Sequence, residues 1–147
     1  MNQTWPPTIQ GDSPLSNLSF FSVGGSYQFM SLHDSAASKP NPAGYRDVAP
    51  RDAPSSLPTD VVLIDVREPS EFTGELGHVP GARLVPMGGL PLAAAGWDRN
   101  AEYLIICKSG GRSGMSAQAM LKMGFTKVMN LTGGMIAWNA AGRVVER

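Results

Sequence analysis

The chain has 147 residues, 42% of them hydrophobic, and its 12 basic and 12 acidic side chains cancel to a formal net charge of +0. That length suits one domain with a real core, and the balanced charge points to neither nucleic acid nor an anionic membrane surface as a partner. One cysteine excludes an intrachain disulfide and any cysteine-rich metal site, and it is compatible with a reducing, cytoplasmic setting. No apolar run approaches the length of a membrane span.

Residues 1–43 differ from the rest. They are rich in Ser, Pro, Asn and Gly, and no Lys or Arg precedes Lys39. The most apolar stretch, residues 18–23, is too short and too interrupted for a secretory signal. Lack of periodicity argues against a second folded domain, so the segment reads as a flexible or poorly structured extension, with Met30 as an alternative natural start. Trp5, Phe20, Phe21, Tyr27 and Phe29 are unusual in a solvated tail and are candidates for weak docking. The folded domain is expected to span residues 44–147.

Within that span, prolines at 50, 54 and 58 permit at most one helical turn over 49–58. Residues 61–64 (Val-Val-Leu-Ile) read as a buried strand ending at Asp65. Pro69 opens a short helix with Ser70 and Glu71 in its first turn, where a carboxylate is favoured. Residues 82–85 read as a third short strand. Residues 88–95 suit a loop and short helix with Leu90, Leu92 and the alanines against the core, and 96–102 a polar connector. Residues 103–106 (Tyr-Leu-Ile-Ile) suit a strand covered on both faces. A helix follows over 114–123, packing Met115, Met120 and Met123 and stopped by Gly124. Residues 127–131 form the last strand, and a helix from Gly133 and Gly134 carries Trp138 into the core and stops near Gly142. Strands alternating with helices predict a mostly parallel α/β sheet of about five strands flanked by helices.

The chemistry concentrates between the 103–106 strand and the helix after it. A loop curling at a helix N-terminus turns successive N–H groups inward and makes an anion-binding nest. Gly110 and Gly111 let the backbone approach a ligand closely. Cys107 in that place is a thiolate candidate, its pKa drawn below the free value of ~8.5 by N–H donors and by the charges of Lys108 and Arg112. The competing reading is a buried structural cysteine at a strand end.

The run Cys107-Lys108-Ser109-Gly110-Gly111-Arg112-Ser113 resembles the active-site loop of single-domain rhodanese-like proteins, of the form C-x-x-G-x-R-S. The run from Asp65 through Arg67 and Glu71 to Phe72, then Gly77-His78-Val79-Pro80-Gly81-Ala82, is similar to the upstream signature of that family. Gly124-Phe125, Asn130-Leu131-Thr132-Gly133-Gly134-Met135 and Ala137-Trp138 are similar to the C-terminal one. The resemblance implies a three-layer rhodanese-like fold. Residues 45–48 take the place of its first short strand, and the proline-rich 49–58 that of its first helix. It also implies that Cys107 takes sulfane sulfur from an anionic donor such as thiosulfate and passes it, as a persulfide, to cyanide, a thiol or an acceptor protein. Lys108, Ser109, Gly110, Gly111, Arg112 and Ser113 would then cradle the substrate. Asp65 and Arg67 would support the loop, and Glu71 would hold Arg112. His78 belongs, on this resemblance, to a structural turn and not to a catalytic base. No metal or cofactor is called for.

Two other readings compete. Rhodanese-like modules also serve as sulfur carriers, sensors or partner-binding domains without turnover. The related phosphatases and arsenate reductases carry one residue more between Cys and Arg than the four found here, and no acid is evidently placed to protonate a leaving alcohol. Their chemistry is the more distant alternative.

Overall fold

The computed structural model describes residues 19–23 and 26–147, with side chains from residue 31 onward. The aromatic side chains expected to dock from the extension lie outside the described residues. Strands β1 (Ser19–Val23) and β2 (Ser26–Met30) pair as an antiparallel hairpin. The remaining strands are β3 (Ser38–Pro40), β4 (Arg46–Val48), β5 (Val61–Asp65), β6 (Arg83–Leu84), β7 (Glu102–Ile106) and β8 (Lys127–Leu131). They form one six-stranded sheet in the order β3-β4-β8-β7-β5-β6. All neighbours run parallel except β3, an antiparallel edge strand. Helices α1 (Pro69–Phe72), α2 (Leu90–Ala94), α3 (Gly111–Lys122) and α4 (Gly134–Ala140) complete the fold.

Alternation along the strands divides the core into two layers. Val62 and Ile64 of β5, Tyr103 and Ile105 of β7 and Val128 of β8 pack with Leu90, Ala94, Ala117 and Met120 of α2 and α3. Val61, Leu63, Leu104, Ile106, Met129 and Leu131 pack with Met135 and Trp138 of α4. Tyr103 through Ile106 are fully buried, and each such side chain contributes roughly 1.5–3 kcal/mol on leaving water. β7 is paired on both edges, by β5 and β8, so its C-terminal end is fixed in position for Cys107. Among the described residues no helix is long and apolar enough to cross a membrane.

Several local features differ from the sequence reading. A sixth strand, β3, lies upstream of Gly44, and Leu32 and Ser38 are buried against the domain. Arg46 holds this segment by donating to the Ser38 hydroxyl at 2.7 Å and its carbonyl at 2.8 Å. The His33 N–H donates to the Glu102 carboxylate at 2.8 Å. Residues 31–43 therefore pack on the domain despite a composition that reads as tail. Leu92 is 87% exposed and Met115 63% exposed, whereas their neighbours Leu90 and Met120 are buried. Trp97, in the stretch read as a polar connector, is buried and stacks on Tyr103 at 5.6 Å. In keeping with the prolines at 50, 54 and 58, residues 49–58 form turns without a helix, and Arg143 satisfies their backbone by donating to the carbonyls of Pro50, Ala53 and Pro54 at 2.7–3.1 Å.

Candidate active site

Cys107 follows the last residue of β7 and precedes a three-residue loop into α3. Gly110 caps α3 with a φ of +102°, a left-handed conformation that turns its N–H back to the cysteine Sγ at 3.0 Å. The backbone N–H groups of Ser109 and Ser113 also favour a charged sulfur there, and the Ser113 hydroxyl lies 3.2 Å from it. Cys107 is only 1% exposed. That burial pushes its thiol pKa up, but the Ser113 hydroxyl and the three N–H groups outweigh it and leave the thiol below its ordinary range.

The inward turn of these N–H groups requires the loop carbonyls to point outward, and α4 supplies their partners. Its first turn has unpaired N–H donors. Met135 donates to the Cys107 carbonyl at 2.9 Å and Ile136 to the Lys108 carbonyl at 3.1 Å. The two backbones can come this close because residue 134 is glycine. Its φ is +57°, and a Cβ there would stand 2.6 Å from the Lys108 carbonyl oxygen and closer still to that of Cys107.

A second bracket comes from β5 and α1. The Arg67 guanidinium pairs with the Asp65 carboxylate at 2.8–2.9 Å with both side chains buried, and it also donates to the Gly77 and Glu71 carbonyls. Arg67 thus ties the end of β5 to α1, which carries Glu71. The Glu71 carboxylate accepts both arms of Arg112 at 2.8 Å and the Glu68 N–H at 3.0 Å. The Arg112 hydrogen bonds hold the Glu71 carboxyl at about 2, and Glu71 in turn raises Arg112.

The expected site residues therefore fall into distinct places. Cys107, Ser109, Gly110 and Ser113 form the cradle itself. Gly111 opens α3, and Arg112 stands at the rim with its charge matched by Glu71. Asp65 and Arg67 are buried beneath the loop's support. The Lys108 side chain is exposed and, among the described residues, makes no hydrogen bond or ion pair. It lines a cleft of about 340 Å³ beside the loop, together with Glu71, Glu75 and Ile136. A larger, mostly apolar cleft of about 700 Å³ lies away from the cysteine, between residues 53–59 and Trp138 of α4. Among the described residues its cation is Arg143, which is committed to the 50–54 carbonyls. The Nδ1 of His78 donates to the Phe72 carbonyl at 2.8 Å while its ring stacks on Phe72 at 3.7 Å, which gives it a turn-holding role.

Sequence reasoning missed three polar residues behind the cysteine. The Ser113 hydroxyl donates to Asn130 Oδ1 of β8 at 2.5 Å. The Asn130 amide donates to Asp47 Oδ1 of β4 at 3.3 Å, and the Asn41 amide donates to Asp47 Oδ2 at 2.9 Å. The available signal was an asparagine at a position of β8 that faces the same layer as Val128, since a polar group in a buried strand needs partners.

A family model described as Rhodanese-like domain matches residues 52–141. The chain is 43% identical over 76 residues to a putative sulfur carrier protein, YrkF, of Bacillus subtilis, a match covering 52% of this chain and 40% of the relative. It is 35% identical over 83 residues to a sulfurtransferase of Allochromatium vinosum, covering 56% of this chain and 76% of that protein. Among solved structures, a rhodanese-like domain protein from Staphylococcus aureus superimposes with a TM-score of 0.55 at 26% identity, covering 69% of this chain and 98% of that one.

Proposed function

Because the chain belongs to the family of rhodanese-like domains, we propose that it moves sulfane sulfur from an anionic donor to a thiophilic acceptor through a persulfide on Cys107. The observation that carries this reading is the setting of a single buried sulfur at the start of α3, where the Gly110 N–H donates to it at 3.0 Å and the Ser113 hydroxyl lies 3.2 Å away. Such a cradle favours a thiolate, which is the attacking species.

With thiosulfate as donor, the Cys107 thiolate attacks the outer sulfur. The Cys107–sulfur bond forms, the donor S–S bond breaks, and its electron pair leaves with sulfite. The terminal sulfur of the persulfide then carries the negative charge. N–H groups already aimed into the cradle stabilise that charge without reorganising, as in an oxyanion hole. Cyanide or a thiolate attacks the terminal sulfur, forms thiocyanate or a new persulfide, and returns the electron pair to Cys107 as thiolate. With one cysteine in the chain, the acceptor comes from outside. Lys108, exposed and unpaired among the described residues, is suited to attract the anionic donor. A thiolate-dependent cycle of this kind suits a reducing compartment such as the cytoplasm.

The matched charge of Arg112 weighs against the phosphatase reading, because Glu71 takes its Nη1–Nη2 fork and offsets its charge, leaving only the Nε side to meet a phosphate. A carrier that loads and hands over sulfur to a protein, with little turnover on small acceptors, is the second reading. The burial of Cys107 and the likeness to a putative sulfur carrier favour it. Steady-state thiocyanate release from thiosulfate and cyanide tests the first reading. Parallel double-reciprocal lines, abolished by Cys107→Ser, are the expected outcome of two half-reactions through a covalent intermediate. Stoichiometric loading without turnover decides for the carrier, and intersecting lines contradict the covalent cycle.

A further inference from the structure

The chain of hydrogen bonds behind Cys107 contains one proton too few to satisfy every state of the sulfur. Both oxygens of the Asp47 carboxylate accept amide N–H groups, Oδ1 from Asn130 and Oδ2 from Asn41, which fixes the Asn130 amide with Oδ1 toward Ser113. The Ser113 hydroxyl has a single proton and two claimants, Asn130 Oδ1 at 2.5 Å and Cys107 Sγ at 3.2 Å. While Cys107 is a thiol, its S–H serves Ser113 and the chain is complete. When Cys107 is a thiolate, the hydroxyl must turn to the sulfur. Two oxygen lone-pair regions then face each other across the short Ser113–Asn130 contact. In a persulfide the charge moves to the terminal sulfur, and the proximal sulfur is only a weak acceptor. The hydroxyl proton is then free to return to Asn130.

We propose that Asp47 and Asn130 are positioning residues that hold the Ser113 proton away from Cys107 and thereby disfavour the bare thiolate relative to the sulfur-loaded cysteine. The hold on the Ser113 proton concerns the free thiol alone; the bias toward loaded cysteine rests on the persulfide reading above. Packing supports a built arrangement. Ser113 and Asn130 are buried, and among the described residues no buried side-chain polar atom lacks a partner. A Cβ on Gly114 would stand 3.0 Å from the Tyr45 hydroxyl and 3.8 Å from the Asn130 amide, so glycine lets α3 sit close over β4 and β8. The other titratable groups around the cradle are the Arg112–Glu71 and Asp65–Arg67 ion pairs, Lys108 on the loop and Tyr45 beside β4. The relay variants leave all of these in place.

The pH dependence of iodoacetamide alkylation of Cys107, the chain's one cysteine, reads the thiolate directly. Asn130→Ala removes the competing acceptor but keeps the Asp47 charge. Asp47→Asn allows the Asn130 amide to reverse and donate to Ser113. Both variants are expected to lower the alkylation midpoint by roughly one pH unit, the worth of one hydrogen bond to a charged group. Ser113→Ala is expected to raise it. A merely structural role for the two residues gives no such opposed directions, and unchanged thermal unfolding of the isosteric Asp47→Asn guards against misfolding. An unchanged or raised midpoint in Asn130→Ala overturns the proposal. So does a drop confined to Asp47→Asn, which assigns the effect to the carboxylate charge and not to the relay. In thiosulfate–sulfite mixtures at alkaline pH, the ratio of loaded to unloaded protein, read by intact mass, should fall up to roughly tenfold in Asn130→Ala; a ratio equal to that of the parent overturns the bias toward the loaded state. If the parent loads no sulfur at all, the persulfide reading fails, while the alkylation midpoints still decide the proton relay.

Discussion

Replacing Gly134 with alanine probes how the cradle is built, because it touches the loop without touching Cys107. The new Cβ would meet the Lys108 carbonyl carbon at 2.5 Å and its oxygen at 2.6 Å, both backbone atoms that no side-chain rotation can clear. Relief requires α4 and the loop to separate, which breaks the bonds from Met135 to Cys107 and from Ile136 to Lys108. Each lost bond costs about 1 kcal/mol, and a non-glycine residue in the left-handed region adds ~1–2 kcal/mol. The sum is about 3–4 kcal/mol, a large share of a typical domain's stability. Urea unfolding followed by tryptophan fluorescence measures it, since Trp97 and Trp138 are both buried. Gly89→Ala is the matched control, because Gly89 has no positive φ and a Cβ added there would meet nothing within 4 Å. The alkylation midpoint of Cys107 should also rise, as the N–H groups lose their aim. A loss below about 1 kcal/mol, with an unchanged alkylation profile, would refute the claim that α4 holds the cradle open.

Three further perturbations test the bracket around the loop. Glu71→Gln should cost only about 1 kcal/mol at pH 7, because Glu71 is 28% and Arg112 36% exposed and solvent screens their pairing. The Glu71 pKa is depressed from 4.5 to about 2. Its stabilisation is therefore fully present above pH 4.5 and lost as pH falls toward 2, and the gap between parent and variant should close across that window in urea titrations. Asp65→Ala leaves the Arg67 guanidinium buried without its counter-charge, bonded only to the Gly77 and Glu71 carbonyls, and should cost about 3–5 kcal/mol, with part of the loss recovered in Asp65→Ala/Arg67→Met. Arg143→Met removes the donors to the Pro50, Ala53 and Pro54 carbonyls. It should cost about 2 kcal/mol in thermal unfolding and speed proteolysis within residues 49–58.

The parts of the fold that could be read from sequence are those specified locally. The Tyr103–Ile106 run, the glycine loop after it and the alanine- and methionine-containing helix each carry their own signal of burial, turn or helix. The meeting of Glu71 with Arg112 follows from two motifs read together. Leu92 is exposed where the sequence suggests burial, because a five-residue helix offers one turn of periodicity, too little to fix which face is inside. β3 escaped notice because three residues, one of them Pro40, carry no strand pattern, and their place is set by pairing with β4 and by Arg46. The contact of Gly134 with the cysteine loop and the relay from Ser113 through Asn130 to Asp47 are long-range juxtapositions. Each residue has an ordinary local reading, so only the sheet order β4-β8-β7 reveals what they share.

Whether Cys107 carries sulfur is read by intact mass of the protein after incubation with thiosulfate. One added sulfur is expected on the parent and none on Cys107→Ser, with loss of that sulfur as thiocyanate when cyanide is added. A parent protein that gains no sulfur from thiosulfate, mercaptopyruvate or a small-molecule persulfide, while its Cys107 alkylates normally, would contradict the persulfide reading.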